Sequence, residues 1–151
     1  MDVREVWGRL MKTRELVFEA RSRASTITGW TGLGRGTVRV EVVDGSTMLF
    51  HEQGSWTSQG GREIGFHNVY RWTADPDGRH IRLEHLRFGP GDPVYLFDLV
   101  PVSPRVLESA EPHVCREDLY SARMEYDEAA VRLCWTITGP QKDETISYSY
   151  S

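Results

Sequence analysis

The chain has 151 residues, of which 39% are hydrophobic and 26% are charged, and its formal net charge is −4. A chain of this length can bury a core of its own, so we expect a single domain spanning residues 1–151. The acidic balance provides no basic surface of the kind that nucleic acids and anionic membranes attract, so the composition argues against both as partners.

The first element predicted along the chain is a short amphipathic helix. Val3, Val6, Trp7, Leu10 and Met11 recur at intervals of three and four residues, as on one face of a helix of about three turns. The first residues lack the apolar run of a signal peptide, and no stretch approaches the roughly 20 apolar residues that span a bilayer. We therefore expect a cytoplasmic protein without a membrane partner.

A strand is predicted at 15–23, where Leu16, Phe18 and Ala20 fall in one phase. A glycine-rich passage follows at 22–35. No Gly-Lys-Ser/Thr follows these glycines and no helix is predicted after them, so a phosphate loop is disfavoured. Bends or bulges in a curved strand explain the glycines better.

The Asp-Gly pair at 44–45 predicts a β-hairpin. A three-residue loop at 44–46 keeps the valines of the first strand on the same face as Met48 and Phe50, whereas a two-residue loop mixes them with polar residues. Amphipathicity therefore favours the longer loop. The valines concerned are Val38, Val40 and Val42.

Two strands are predicted at 64–72 and 81–88, and a third follows at 94–100. Pairing Trp72 with Ile81 defines a register whose further pairs are Tyr70 with Leu83, Asn68 with His85, and Phe66 with Arg87. In the third strand, Tyr95, Phe97 and Leu99 are predicted to continue this face in phase with Arg87, His85 and Leu83.

The last third of the chain, 119–151, predicts a three-stranded antiparallel meander with one apolar, aromatic face. The first hairpin pairs Tyr126 with Val131, which puts Tyr120 opposite Ile137. The second is predicted to pair Ile137 with Ile146. In that register Trp135 lies beside Tyr148 and Leu133 lies beside Tyr150.

These elements predict about eight to ten strands and one short helix, without helical crossovers. The fold class is therefore all-β, an antiparallel β-barrel or sandwich. A closed barrel is favoured, because the aromatic-lined faces come from strands along the whole chain.

The predicted inner face is apolar except for Asn68, His85 and Arg87. An unpaired guanidinium is costly to bury, so Arg87 needs a partner or a solvated cavity. One hypothesis is a polar anchor for the carboxylate or carbonyl of an apolar ligand. The other is an arginine that closes the barrel by stacking on Trp7 or Trp30. The predicted cavity walls are aromatic: Tyr70, Tyr95, Tyr120, Trp135, Tyr148 and Tyr150.

The segment 113–120 concentrates reactive side chains. His113 and Cys115 would make an activated thiolate pair if they met, but residues two apart on a strand lie about 6 to 7 Å apart, so a structural role is preferred. Cys134 is predicted opposite Arg123, far from Cys115, and both thiols are expected to be free. Neither cysteine has zinc-ligand spacing, so a closed metal site is not indicated. A haem held by one histidine stays open as an alternative, and no cofactor is named.

Three motifs resemble those of a family of short uncharacterised proteins with a lipocalin-like (calycin) barrel. They are Asn68-Val-Tyr-Arg-Trp72, His113-Val-Cys-Arg-Glu-Asp-Leu-Tyr120 and Trp135-Thr-Ile-Thr-Gly-Pro-Gln-Lys-Asp143. The resemblance implies a fold rather than an activity. It marks motif positions of unknown role at His113, Cys115, Asp118, Lys142 and Asp143, besides Tyr120 and Trp135.

The sequence thus predicts a lipocalin-like antiparallel β-barrel of about eight to ten strands with a short N-terminal helix. Its predicted function is to bind a small, largely apolar molecule that carries a polar or anionic group. The predicted ligand-binding residues are Asn68, Tyr70, His85, Arg87, Tyr95, Tyr120, Trp135 and Tyr148. Two alternatives stay open: an isomerase or hydrolase that uses His85 or His113 as a base, and a structural or interaction module with a solid core. The ligand's identity and homodimer formation also stay open.

Overall fold

The computed structural model describes residues 2–22, 31–140 and 142–151. It contains one helix, α1 (Arg4–Met11), and the strands β1 (Glu15–Ser22), β2 (Gly32–Asp44), β3 (Thr47–Ser58), β4 (Glu63–Ala74), β5 (Ile81–His85), β6 (Val94–Ser103), β7 (Val106–Ser109), β8 (His113–Cys115), β9 (Asp118–Tyr126), β10 (Val131–Thr138) and β11 (Asp143–Tyr150). In these ranges no helix is long and apolar enough to cross a membrane.

The described strands form a closed antiparallel barrel. Neighbours follow the order β10-β11-β1-β2-β3-β4-β5-β6-β7-β9, and β9 pairs back onto β10 to complete a ring of ten strands. The short strand β8 pairs with β9 beyond the end of β7. The predicted all-β antiparallel barrel with a short N-terminal helix is confirmed.

Helix α1 closes one end of the barrel. Val3, Val6 and Leu10 are buried, and the backbone N–H of Val3 donates to the carbonyl of Gly78 in the β4–β5 loop. The helix is 8 residues long, shorter than the three turns predicted. Met11, which was expected on the packing face, is 41% exposed because it ends the helix.

The interior near α1 is filled by large side chains. Six of the bulkiest fully buried residues are Phe50, Trp72, Phe97, Met48, Leu83 and Met124. They come from β3, β4, β5, β6 and β9, so residues distant along the chain share one core. This burial is the main source of the barrel's stability.

The β2–β3 hairpin has the predicted register. Val42 faces Met48 and Val40 faces Phe50. The predicted three-residue loop at 44–46 is wrong, because Asp44 faces Thr47 across a two-residue turn and a bulge at Val43 restores the phase. The same phase continues to Glu52, which faces Val38 and is completely buried. A carboxyl group therefore occupies an interior position.

The glycines of β2 serve close packing. Gly34 faces Phe18 in register, and a β-carbon at Gly34 would overlap the Phe18 ring. At Gly36, a β-carbon would overlap the backbone carbonyl of Gln53 on β3. Because glycine has no side chain, these positions let β2 approach its neighbouring strands closely and bend. Gly29 and Trp30, which belong to the same glycine-rich passage, lie outside the described residues.

Two predicted registers are wrong by two residues. In the β4–β5 pair, Tyr70 faces His85 and Trp72 faces Leu83, because β4 extends to Ala74 before the turn that joins it to Ile81. Asn68 therefore does not face His85. A shift of two keeps every side chain on its predicted face, so the inner face itself is unchanged.

The second error lies in the β10–β11 hairpin, whereas the β9–β10 register is confirmed. Trp135 faces Ile146 and Ile137 faces Glu144, because the turn is tight: the Gly139 N–H donates to the Lys142 carbonyl at 2.8 Å. The loop predicted from the sequence is longer than this turn, which displaced the predicted register. One consequence is that Glu144 joins the inner face.

The β5–β6 pair contains an irregularity that changes the place of Tyr95. The register shifts between Leu83 and Glu84, so Tyr95 faces Glu84 instead of continuing the inner phase of Phe97. The Arg82 guanidinium lies 5.3 Å from the Tyr95 ring centroid and binds Asp98. The prediction that Tyr95 lies inside the barrel is therefore wrong.

Candidate functional site

The end of the barrel opposite α1 holds an open cavity of about 580 Å³. We call it the barrel cavity. Its walls come from β1, β3, β4, β5, β9, β10 and β11, with the turns that follow β5 and precede β11. It is lined by Phe18, Ala20, Arg21, Trp56, Ile64, Gly65, Phe66, Asn68, His85, Arg87, Tyr120, Ile137, Lys142, Glu144, Ile146 and Tyr148. The interior is thus packed near the helix and hollow at the other end.

Aromatic rings form the apolar wall of the barrel cavity. The Phe18 ring lies 5.4 Å from Phe66 in an edge-to-face arrangement and 5.3 Å from Tyr148. These are favoured separations for aromatic pairs, which hold one another in fixed positions. The wall therefore offers a preformed apolar surface, made of rings inclined to one another, to an apolar group.

A first set of polar side chains comes from β4, β5 and the following turn: Asn68, His85 and Arg87. The imidazole of His85 stacks on Tyr70 with centroids 4.6 Å apart. Burial, and then the positive charge of Arg87, lower the pKa of His85 below its usual value of 6.5, so the ring is neutral at pH 7. Asn68 is half-buried beside it.

Arg87 lies at the rim rather than in the interior. It follows β5 in a turn, its side chain is exposed, and its guanidinium lies 5.1 Å from the Phe88 ring centroid. The predicted stacking on Trp7 is wrong, since Trp7 belongs to the helix at the other end. Trp30, the other suggested partner, is outside the described residues.

A second set of polar side chains comes from β9, β11 and the turn before β11: Tyr120, Lys142 and Glu144. Burial raises the pKa of Tyr120 above its usual value of 10.0. The Lys142 ammonium pairs with Asp118 at 3.4 Å. Glu144 is only 8% exposed, and its Oε1 has no hydrogen-bond partner among the described residues.

A hydrogen-bonded group of buried residues lies beneath the cavity. Tyr148, which lines the cavity, stacks on Tyr150 with the ring centroids 5.5 Å apart. The Tyr150 hydroxyl donates to Glu52 Oε2 at 2.7 Å. Burial raises the pKa of Glu52 to about 8, despite this hydrogen bond, so Glu52 is mostly a neutral acid at pH 7.

Sequence reasoning missed Glu52 and Glu144 as interior residues. The signal for Glu52 was present, because it continues the period of two from Met48 and Phe50. Glu144 was concealed by the incorrect β10–β11 register.

Five of the eight predicted ligand-binding residues meet at the barrel cavity: Asn68, His85, Arg87, Tyr120 and Tyr148. Tyr70 and Trp135 are buried in the adjoining core, with ring centroids 6.1 Å apart. Tyr95 lies on the outer side, as described above. Whether the five residues bind a ligand stays a prediction.

The motif positions of unknown role divide between the cavity and its rim. Lys142 lines the cavity and Asp118 pairs with it, while Asp143 begins β11. The His113 ring lies 5.0 Å from Tyr95 and 6.2 Å from Tyr120. Cys115 is exposed at the end of β8.

Both cysteines, Cys115 and Cys134, are free, as predicted. Across the described ranges, no group of three or more His, Cys, Asp or Glu side chains is arranged to hold a metal ion.

Comparisons with known proteins give one family and a set of distant structural likenesses. A family model described as "Family of unknown function (DUF6314)" matches residues 9–151. A comparison with curated proteins gives no significant match.

The solved structures that resemble the chain include EF1p2_mFAP2b bound to DFHBI, with 10% identity, a TM-score of 0.47, and coverage of 95% of this chain and 94% of that chain. The redesigned β-barrel mFAP1 bound to DFHBI has 14% identity and a TM-score of 0.44, covering 95% and 96% of the two chains. A de novo designed fluorescence-activating β-barrel has 11% identity and a TM-score of 0.44, covering 100% and 99%.

Proposed function

The chain belongs to the DUF6314 family of unknown function, and we propose that it binds a small, largely apolar molecule carrying a polar or anionic group in the barrel cavity. The observation that carries this proposal is the open space of about 580 Å³ with aromatic walls and a few polar side chains. Ligand sites in proteins have this composition and volumes of about 300 to 1,000 Å³.

The apolar part of the ligand packs on Phe18, Phe66 and Ile146. These side chains line the cavity while contacting the core, so their apolar surface is partly unused without a ligand. Covering such surface is favourable by roughly 25 cal/mol per Å². A hydrocarbon or aromatic group therefore suits this wall.

The polar part of the ligand is held by Asn68, His85 and Arg87. Arg87 supplies a permanent positive charge at the rim, Asn68 supplies an amide, and the neutral His85 ring supplies one N–H donor. Three donors on one side of an apolar space favour a carboxylate or carbonyl oxygen. This supports an organic acid as the ligand class.

We expect organic acids to raise the melting temperature of the protein. A panel of fatty acids and aromatic acids is measured by thermal unfolding. A ligand present at a hundred times its dissociation constant adds about 2.7 kcal/mol, which for a domain of this size is roughly 5 to 10 °C. A flat response across the whole panel would contradict the proposal.

The matched variants R87Q and R62Q test the anchor. Arg87→Gln removes the cation that borders the cavity, so we expect acid affinity to fall roughly tenfold. Arg62 lies in the β3–β4 turn at the same end of the barrel but does not line the cavity, so R62Q controls for net charge. Equal losses in both variants would show a general charge effect instead of a specific anchor.

A further inference from the structure

We propose that the molecule bound in the barrel cavity also carries a hydrogen-bond donor, best a primary amine, that pairs with Glu144. This inference rests on the proposed binding function and specifies the second end of the ligand. Among the described residues, two buried carboxyl groups have an oxygen without a hydrogen-bond partner, Glu52 and Glu144, and of these Glu144 lines the cavity.

Glu144 is buried but not paired. Its side chain lines the cavity, the residue is 8% exposed, and Oε1 has no hydrogen-bond partner among the described residues. Buried polar atoms in proteins are nearly always hydrogen-bonded, because an unpaired one keeps the full cost of leaving water. Glu144 lines the open cavity while one of its two oxygens is buried without a partner, which indicates that the missing donor comes from a ligand.

The nearby cations do not fill this role. Lys142, two residues before Glu144, is paired with Asp118 at 3.4 Å. Arg87 follows β5, which lies five steps from β11 in the ring of ten strands and therefore half the circumference away from the strand that carries Glu144. The described residues thus leave room for a positive charge or an N–H donor from outside the chain.

The position of Glu144 also orients the ligand. It faces Ile137 on β10, whereas Asn68 and His85 belong to β4 and β5 on the opposite side of the ring. An acceptor site and a donor site therefore face each other across an aromatic space. The ligand that satisfies both has an amine at one end, an acidic or carbonyl group at the other, and an apolar body between them.

Four compounds with the same naphthyl body separate the two ends: 2-ethyl-6-methylnaphthalene, 3-(6-methyl-2-naphthyl)propanoic acid (the propanoic acid), (6-ethyl-2-naphthyl)methylamine, and 3-[6-(aminomethyl)-2-naphthyl]propanoic acid, which carries the amine and the acid at opposite ends. Binding to the full chain is measured by calorimetry at pH 7 and fixed ionic strength. We expect the compound with both groups to bind about tenfold or more tightly than the propanoic acid, since a charge-assisted hydrogen bond is gained.

The variant E144Q tests the residue, and E63Q is its control. Glu144→Gln keeps the size of the side chain but removes the acid, so the preference for the amine-bearing compounds should disappear while the propanoic acid binds as before or better. Glu63 is exposed at the start of β4 near the same rim and is absent from the cavity lining. E63Q should therefore keep the full preference.

The outcomes distinguish this inference from the function on which it rests. If the propanoic acid binds and the amine adds nothing, or if E144Q keeps the amine preference, the role of Glu144 is overturned while ligand binding stands. If no compound of the series and no acid of the wider panel binds, the binding function itself is overturned. Thermal unfolding of unliganded E144Q confirms that the variant folds, and Glu144→Asp supplies a second variant that keeps the acid but withdraws it from the cavity.

Discussion

At the scale of single residues, the least expected feature is the acid beneath the barrel cavity. Glu52 is fully buried, receives a hydrogen bond from Tyr150, and has a pKa raised from 4.5 to about 8 by burial. A folded-state pKa above the unfolded one means that the native protein holds a proton which the unfolded chain releases. This residue therefore makes stability depend on pH.

We expect the free energy of unfolding to fall as the pH rises from about 4.5 to about 8. Glu52 contributes most below pH 4.5 and loses its contribution as the pH passes through its raised pKa. His85, whose pKa is lowered, acts in the opposite sense below its usual value of 6.5, so the clearest window is above that value. Between pH 6.5 and 8 the predicted loss is roughly 1 to 2 kcal/mol.

Urea unfolding of the wild type and E52Q at several pH values measures this loss. Glutamine accepts the Tyr150 hydrogen bond without titrating, so E52Q should flatten the profile between pH 6.5 and 8. E63Q, at an exposed site, should leave the profile as it is in the wild type. A slope that survives in E52Q would assign the pH dependence to other groups.

The residue scale also shows the limit of sequence reading. Tyr148 and His85 were placed on the inner face correctly, because alternation in a strand fixes the face of each side chain. Tyr95 was misplaced because the bulge after Leu83 reverses the phase. The bulge lies within 94–97, where every residue is hydrophobic, so alternation alone could not locate it.

At the scale of elements, the registers depended on the loops. The β9–β10 pairs were predicted correctly. The β2–β3 pairs were also correct, although a two-residue turn and a bulge at Val43 produce them instead of the predicted three-residue loop. The β4–β5 and β10–β11 pairs were displaced by two residues, which leaves the faces unchanged and so cannot be detected from amphipathicity. The hydrogen bonds of the turns decide between such registers.

The close approach of β2 and β3 predicts a strong effect of one methyl group. In Gly36→Ala the new β-carbon overlaps the Gln53 carbonyl, which is backbone and cannot rotate away. We expect G36A to be destabilised by a few kcal/mol, as for other overpacked sites. The measurement is the midpoint of urea unfolding.

Gly45, in the β2–β3 loop, provides the control. A β-carbon there has no neighbour within 4 Å, so G45A should stay close to the wild type. Equal stability of G36A and the wild type would show that the strands are able to separate at this point, and would remove the packing explanation for the glycine.

At the scale of the whole molecule, the barrel has a packed half and a hollow half. The closed all-β architecture followed from the number of strands and the distribution of aromatic residues. The sequence did not distinguish a solid interior from a hollow one, because aromatic inward residues fit both. Whether the interior is filled or hollow depends on whether glycines and small side chains such as Ala20 from different strands lie next to one another. Strand register and curvature determine that arrangement.

This division predicts that damage to the two ends has different consequences. Leu10 on α1 is fully buried against the packed half, so Leu10→Ala should destabilise the protein by about 2 to 5 kcal/mol. Because Leu10 does not border the cavity, the affinity of the folded protein for acids should remain that of the wild type. Thermal unfolding and calorimetry below the transition measure the two effects.

A loss of affinity in folded L10A would show that the helix end and the cavity are coupled. The solvent-facing substitution Met11→Ala on the same helix should change neither property, because Met11 is 41% exposed.

Because the half of the barrel behind Tyr148 is packed, the described part of the barrel is open at one end only and has no through-channel. A ligand of the proposed kind would enter and leave by the same opening. Replacement of one ligand by another would then be limited by the dissociation of the first, which suits storage or capture of a molecule better than its transport through the protein.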